Sequence, residues 1–125
     1  MEMTFTRQHR QLSLTAAMLY WDVLNSGNKF ERYGDYGYLE DYISITNNAI
    51  CTFGLLFGHR LFARRHLDDI SIILNEIVTL DENEQMATAQ WILIISHKMQ
   101  TIEYLFRDCC QGVQGALICQ YINEL

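Results

Sequence analysis

The sequence predicts an all-α protein of one domain, residues 1–125, with six to seven helices around a hydrophobic central helix. Three observations indicate this fold class. The 125 residues include no proline, the residue that most often interrupts a helix. Half of the residues are apolar and only 19% are charged, which favours a packed core over disorder. The stretch Asn48–Phe62 places apolar side chains on every side of a helical wheel, and such a helix must be buried all round.

The central helix is the element around which we expect the others to pack. Asn48–Phe62 falls short of the roughly 20 apolar residues that span a bilayer, which predicts a place inside a globular bundle. Gly54 and Gly58 lie four residues apart on one face, where a neighbouring helix could approach closely. Arg64 and Arg65 follow the helix, and positive charge there would complement the dipole at its C-terminus.

The segments before the central helix alternate between regular and irregular patterns. Thr6–Asn25 has the apolar spacing of an amphipathic helix, and Gly27 marks its stop. The following segment, Asn28–Tyr38, is rich in tyrosine and glycine, which predicts a loop with a short helical turn. A helix is expected to restart near Leu39 and then either to bend or to break at residues 46–48.

The segments after the central helix predict several shorter helices. Asp68–Asp69 is expected to cap a helix with a clean apolar stripe, and the acidic turn Leu80–Asn83 starts another. The run Trp91–Ile95 is either an exposed interaction patch or, as we favour, a core helix buried on two sides. Ser96 can cap a further turn, and the tail Gly112–Leu125 is a short amphipathic helix.

Composition and charge argue against several functional classes. The net charge of −6 disfavours a nucleic-acid partner, because binding phosphates needs a positive surface. The four cysteines form no Cys-x-x-Cys pair and the histidines lack zinc-ligand spacing, so we expect no metal and no other cofactor. We also expect no signal peptide and no membrane-spanning segment, which predicts reduced thiols in a cytosolic protein.

No strong catalytic motif is present, and we expect a protein that is not an enzyme. The carboxylates of Asp81, Glu82 and Glu84 cluster at a predicted helix start, where capping is the ordinary explanation. A catalytic alternative rests on Arg60 and His66, which are separated by five residues as in the arginine–histidine motif of HEPN ribonucleases. In that reading His66 is the general base and Arg60 stabilises the phosphate. A basic helix end would explain the same two residues.

Several stretches, in this order along the chain, resemble Bcl-2-fold apoptosis regulators. Met18–Gly27 is similar to the end of the family's first helix, and Ala49–Gly58 is similar to the central helix that carries the first homology motif. Asp69–Leu80 resembles the next helix of viral members. The pair Trp91–Ile92, followed by Thr101–Phe106, resembles the second homology motif, in which a Trp-Ile pair precedes a Phe-x-x-Leu-Tyr pattern.

The resemblance implies a compact, anchorless viral Bcl-2-like inhibitor of apoptosis. Such proteins sequester the amphipathic homology-region helix of a pro-apoptotic protein in a surface groove. The groove binds apolar side chains at positions i, i+3 or i+4, and i+7 of that helix. The resemblance also implies the cytoplasm of a host cell, with peripheral association at mitochondria, and it allows a homodimer. The residues that we place along the groove are Tyr36, Tyr38, Leu39, Tyr42, Ile43, Ile45, Asn47, Asn48 and Phe53.

The chain departs from the family at the family's most specific motif. The Asn-Trp-Gly-Arg signature would fall across residues 47–50, so its tryptophan, glycine and arginine are absent. That arginine pairs with an aspartate on the bound helix, and Asn47 or Asn48 would give only a neutral hydrogen bond. A third hypothesis is therefore an unrelated helical protein-interaction module, whose binding surface the sequence does not locate.

Overall fold

A computed structural model of the protein describes residues 7–58, 61–82 and 88–124. These residues form four helices and no strand: α1 (Arg7–Tyr33), α2 (Tyr36–Phe57), α3 (Leu61–Glu82) and α4 (Thr88–Glu124). The all-α prediction is confirmed. The expected number of six to seven helices is not found in the described residues, because several predicted breaks lie inside continuous helices.

Consecutive helices run in opposite directions. Tyr36 near the start of α2 stacks on Trp91 near the start of α4, and Phe53 further along α2 meets Phe106 further along α4. These two helices are therefore parallel. The Gln114 side chain of α4 donates to the carbonyl oxygen of Ser13 in α1 at 3.2 Å, while Glu31 near the end of α1 lies beside Ser96 near the start of α4, so α1 is antiparallel to α4. Val78 near the end of α3 lies beside Tyr36 and Trp91 at the starts of α2 and α4, so α3 is antiparallel to both. The arrangement is an up-down-up-down bundle.

The longest helix, α4, is the one that contacts all three others. Helix α1 packs against α2 and α4, α3 packs mainly against α4, and α1 and α3 are not in contact within the described residues. The buried core follows the inner faces of the four helices. Its fully buried larger side chains are Val23, Leu39, Tyr42, Phe53, Ile70, Ile95, Met99, Ile102, Phe106, Val113 and Leu117.

Helix α1 extends through the predicted stop at Gly27. The Ser26 hydroxyl donates to the carbonyl oxygen of Val23 at 2.8 Å, so its polar group is satisfied within the helix. Gly27 is also buried, because α2 packs closely over it. The predicted loop Asn28–Tyr38 is wrong for most of its length. Only Gly34, in the left-handed conformation with φ of 63°, and Asp35 lie between α1 and α2.

Helix α2 begins at Tyr36 and has no break at residues 46–48. The Asp35 side chain accepts a hydrogen bond from the backbone N–H of Gly37 at 3.3 Å and caps the helix. Its C-terminal half is not buried all round, since Leu55 is 87% exposed. No described atom lies within 4 Å of the place where a Cβ of Gly54 would be, so none of the described helices approaches that residue closely. The expectation of a wrapped central helix at Asn48–Phe62 is therefore wrong for the described part of that stretch.

The second half of the chain is also more continuous than predicted. Arg64 and Arg65 lie in the first turns of α3, not at the end of the preceding helix, and Asp68 is inside α3. Helix α4 runs through both Ser96 and Gly112 without interruption. A chain without proline can bury a long stripe on one straight helix, and packing then outweighs the weak preference of serine and glycine for helix ends.

Candidate functional site

A groove of about 360 Å³ lies between α2 and α3. It exists because these two helices make little direct contact, while both pack against α4. Its volume lies in the range of roughly 300–1,000 Å³ that is common for ligand-binding clefts. Its lining comes from three helices and consists of Tyr36, Glu40, Ile43, Ser44, Asn47, Leu74, Ile77, Val78 and Trp91.

One end of the groove is aromatic. The ring centroids of Tyr36 and Trp91 are 5.3 Å apart, and the ring planes are inclined by 37°. Tyr36 remains 40% exposed, so the pair forms part of the surface. Two large rings that pack against each other are already restricted in motion, so they can contact a ligand with little further loss of side-chain entropy. For this reason such residues dominate the binding energy of many protein interfaces.

The interior of the groove is apolar and its rim is polar. Ile77 is buried, Ile43 and Leu74 are half-buried, and Val78 is 55% exposed. The remaining polar members are on the α2 side and are Glu40, Ser44 and Asn47. An apolar interior with one polar edge matches a ligand surface that is itself amphipathic.

The structure divides the nine predicted groove residues among four places. Tyr36, Ile43 and Asn47 line the α2/α3 groove. Tyr38 and Ile45 line a smaller depression of about 260 Å³ between α1 and α2, where Tyr38 also stacks on Tyr33. The remaining residues are outside both surfaces. Leu39, Tyr42 and Phe53 are buried in the core, and Asn48 is exposed without lining the groove.

Six lining residues were absent from the predicted set: Glu40, Ser44, Leu74, Ile77, Val78 and Trp91. The groove residues of α2 could have been found from the sequence, because the spacing of residues 36, 40, 43, 44 and 47 places them on one helical face. The α3 residues belong to an apolar stripe that the sequence shows clearly. Their exposure beside α2 depends on the gap between the two helices, which no local pattern reports.

The opposite side of α2 is closed by Tyr42. Its hydroxyl donates to Glu103 Oε2 at 2.6 Å and approaches the carbonyl oxygen of Met99 at 3.4 Å. Burial, followed by the hydrogen bond and charge of Glu103, raises the pKa of Tyr42. Burial also raises the pKa of Glu103, and the nearby charge of Glu31 adds to this, while the hydrogen bond from Tyr42 opposes it. This hydrogen-bonded pair connects α2 to α4.

The cysteines and the acidic residues show no metal-binding arrangement among the described residues. Cys109 and Cys110 are buried, and desolvation raises the pKa of each thiol to about 12. Thiols of this kind remain protonated at neutral pH and are poor nucleophiles and poor metal ligands. Cys51 is exposed on α2.

The predicted ribonuclease pair is described only in part. Arg60 lies outside the described residues. His66 is half-buried in α3, and its Nδ1 atom has no hydrogen-bond partner among the described residues. The ribonuclease reading therefore stays a prediction.

A second depression, of about 590 Å³, lies between α3 and α4 on the other face of α3. It is wider and less enclosed than the α2/α3 groove. Its polar members include the ion pair of Lys98 and Glu76, whose Nζ and Oε2 atoms are 2.6 Å apart. Its described lining includes no aromatic side chain. We therefore regard the α2/α3 groove, which is narrower and has an aromatic end, as the better candidate site.

Comparisons of the chain with protein-family profiles, with curated proteins and with solved structures found no match. Of the described helices, none combines the length and the apolar character that crossing a bilayer requires.

Proposed function

We propose that this protein is a viral Bcl-2-like inhibitor of apoptosis that acts by binding, not by catalysis. Its ligand is the amphipathic homology-region helix of a pro-apoptotic protein, and the α2/α3 groove is the binding site. The proposed setting is the cytoplasm of a host cell. The observation that supports this proposal best is the groove itself, with its apolar interior and aromatic end.

The form of the groove favours a helical ligand over an extended one. Its walls are two helices, and no strand among the described residues offers an edge to which an extended peptide could pair. A helical ligand forms its backbone hydrogen bonds internally and needs only an apolar surface to pack against. The α2 wall runs from Tyr36 to Asn47, which spans about 16 Å or three helical turns. Three turns accommodate anchors at i, i+4 and i+7.

The proposal is supported by the groove and by the sequence stretches that resemble the family in the same order along the chain. It is not supported by the number of helices. The four described helices do not wrap a central one, and the arginine of the family signature is replaced. Asn47 of that replaced signature lies on the groove wall, where it can hydrogen-bond to a polar side chain of the ligand. We therefore expect a narrower range of ligands than an arginine at this point would allow.

The test is calorimetric titration of the purified protein with a panel of synthetic pro-apoptotic homology-region helices. We expect binding with a Kd of about 1 µM or below for one or a few of them. Val78→Glu places a charge inside the apolar groove and should weaken that binding by at least about tenfold. Leu55→Glu makes the same type of change at an exposed aliphatic residue of α2 outside the groove and should leave the Kd unchanged.

Two outcomes would contradict the proposal. One is the absence of binding to every helix of the panel by protein that circular dichroism shows to be folded. The other is equal weakening by Val78→Glu and Leu55→Glu, which would place the ligand elsewhere. Sedimentation of the free protein serves as a further check, because a dimer that Val78→Glu dissociates would mean that a second copy occupies the groove.

A further inference from the structure

The groove end formed by Tyr36 and Trp91 lies beside the C-terminal end of α3. The first turns of α1 and α3 lie at one end of the bundle and carry Arg7, Arg10, Arg64 and Arg65. The end of α3 lies at the other and has no basic residue in its last turn, while Arg32 belongs to the last turn of α1 at the same end. The negative end of the α3 helix dipole is therefore not neutralised by its own helix.

Glu40 places a carboxylate at this end of the groove. It follows Tyr36 by four residues on α2, so the two side chains are neighbours on one helical face, and both line the groove with Trp91. Glu40 is exposed and has no ion pair within the described part of the chain. Of the cations nearest in sequence, Lys29 lines the depression between α1 and α2, and the Arg32 guanidinium lies over the Tyr33 ring.

The neighbouring rings favour a cation as well. The faces of tryptophan and tyrosine attract ammonium and guanidinium groups that lie within about 6 Å of the ring centre. A lysine or arginine side chain placed beside Tyr36 and Trp91 could therefore contact both an aromatic surface and the Glu40 carboxylate. A carboxylate on the ligand at the same place would meet repulsion from Glu40 and from the end of α3.

We infer that the helix bound in the α2/α3 groove carries a lysine or arginine next to its terminal apolar anchor, and that this cation is received by Glu40, Tyr36 and Trp91. This inference rests on the proposed function. It also reverses the charge relation that the family resemblance implies, in which the groove supplies the cation and the ligand the carboxylate. The groove of this chain selects a basic position on its partner.

The test uses three designed amphipathic helices that differ at one position. Each presents leucines at i, i+4, i+7 and i+11, and the residue one turn before the first leucine is lysine, glutamine or glutamate. At low salt we expect the lysine helix to bind about tenfold more tightly than the glutamate helix, with glutamine between them. Salt near 0.5 M should reduce this ratio, because exposed charges are screened.

Two protein variants locate the effect. Glu40→Gln should reduce the lysine-to-glutamate ratio to less than about threefold without changing the affinity for the glutamine helix. Asp41→Asn removes the same charge from the next residue, which lines the depression between α1 and α2, and should leave the ratio unchanged. Both replaced side chains are exposed, so the fold should be retained in each variant.

Equal binding of the three helices, or a ratio that Asp41→Asn lowers as much as Glu40→Gln, would overturn the inference. If Val78→Glu still abolished binding in that case, the groove and the proposed function would stand without the charge preference. Failure of all three designed helices to bind would also overturn it, while the panel of homology-region helices tests the proposed function separately.

Discussion

The two sides of α2 differ in how completely they are covered. On the α1 side, Gly27 lets the Tyr42 ring lie against the α1 backbone, and the Tyr42 hydroxyl reaches Glu103 of α4. On the α3 side, Ile43 and Val78 line a gap that no other described side chain fills. Close packing and the hydrogen bond from Tyr42 to Glu103 fix one side as core. The gap leaves apolar surface on the other side for a partner.

The closed side should carry most of the stability, and truncation of its aromatic core tests this most strongly. Phe53 is fully buried, and its ring centroid lies 5.3 Å from that of Phe106 and 4.9 Å from that of Phe57. Phe53→Ala should lower the free energy of unfolding by about 3–5 kcal/mol, as measured by urea denaturation. Leu55→Ala, two residues away and exposed, should change it by no more than about 0.5 kcal/mol. Similar losses for both would contradict the division of α2 into a buried and an open face.

A smaller change tests the contact that closes the α1 side. A Cβ on Gly27 would lie 2.9 Å from Tyr42 Cζ, which is too close for a ring held in the core. Gly27→Ala should therefore destabilise the protein by about 1–3 kcal/mol in thermal or chemical denaturation. Gly115→Ala is the matched control, since nothing lies within 4 Å of its Cβ position in α4. It should stabilise the helix by up to about 1 kcal/mol. Gain at both positions would show that Tyr42 is not packed against α1.

The pH dependence of stability tests the polar part of the same contact. Burial raises the pKa of Glu103 in the folded state above its usual 4.5, so the folded state holds this proton more firmly than the unfolded chain. The stabilising contribution is complete below pH 4.5 and is lost as the pH rises through the higher folded pKa. Glu103→Gln stays neutral and keeps an acceptor for Tyr42. In the wild type, the free energy of unfolding should fall as the pH rises from 4.5 through the folded-state pKa of Glu103. In the Glu103→Gln protein this fall should be smaller, as measured by urea titrations at several pH values. An unchanged slope in the variant would contradict the assignment to Glu103.

The smallest effect is expected at the ion pair in the depression between α3 and α4. Lys98 and Glu76 form an ion pair between α3 and α4, and Glu76 is exposed. Lys98→Ala should cost no more than about 1 kcal/mol of unfolding free energy, because exposed ion pairs gain little over hydration. The difference from the wild type should shrink further in 1 M salt. A loss comparable with that of Phe53→Ala would mean that charge, not apolar packing, holds α3 on α4.

The sequence was sufficient to predict the helical class, because apolar spacing and the absence of proline act over any stretch of the chain. It misplaced the helix boundaries where local preference and packing disagree. Gly27 is a common helix stop, but here its lack of a side chain makes room for Tyr42 of another helix. The run of apolar residues in α2 suggested complete burial, whereas Leu55 lies on its open face.

The candidate groove was predictable only in part, for a related reason. Tyr36, Ile43 and Asn47 line one surface because they share a face of α2. Tyr42 has the same residue type as Tyr36 and lies six positions further along, yet it is buried and fastens α2 to α4. The position of α3 relative to α2 determines which of the two tyrosines lies in the groove. That relation is set by contacts between residues far apart in the sequence.

The most direct test of the groove uses the two tryptophans of the chain as separate reporters. Trp91 lines the groove, whereas Trp21 is 64% exposed on α1, which does not contact α3. The Trp21→Phe protein should show a blue shift of its fluorescence when a homology-region helix is added, because the ligand covers Trp91. The Trp91→Phe protein should show no shift at any concentration at which it binds. A shift confined to Trp21, or none in either protein, would contradict binding in the α2/α3 groove.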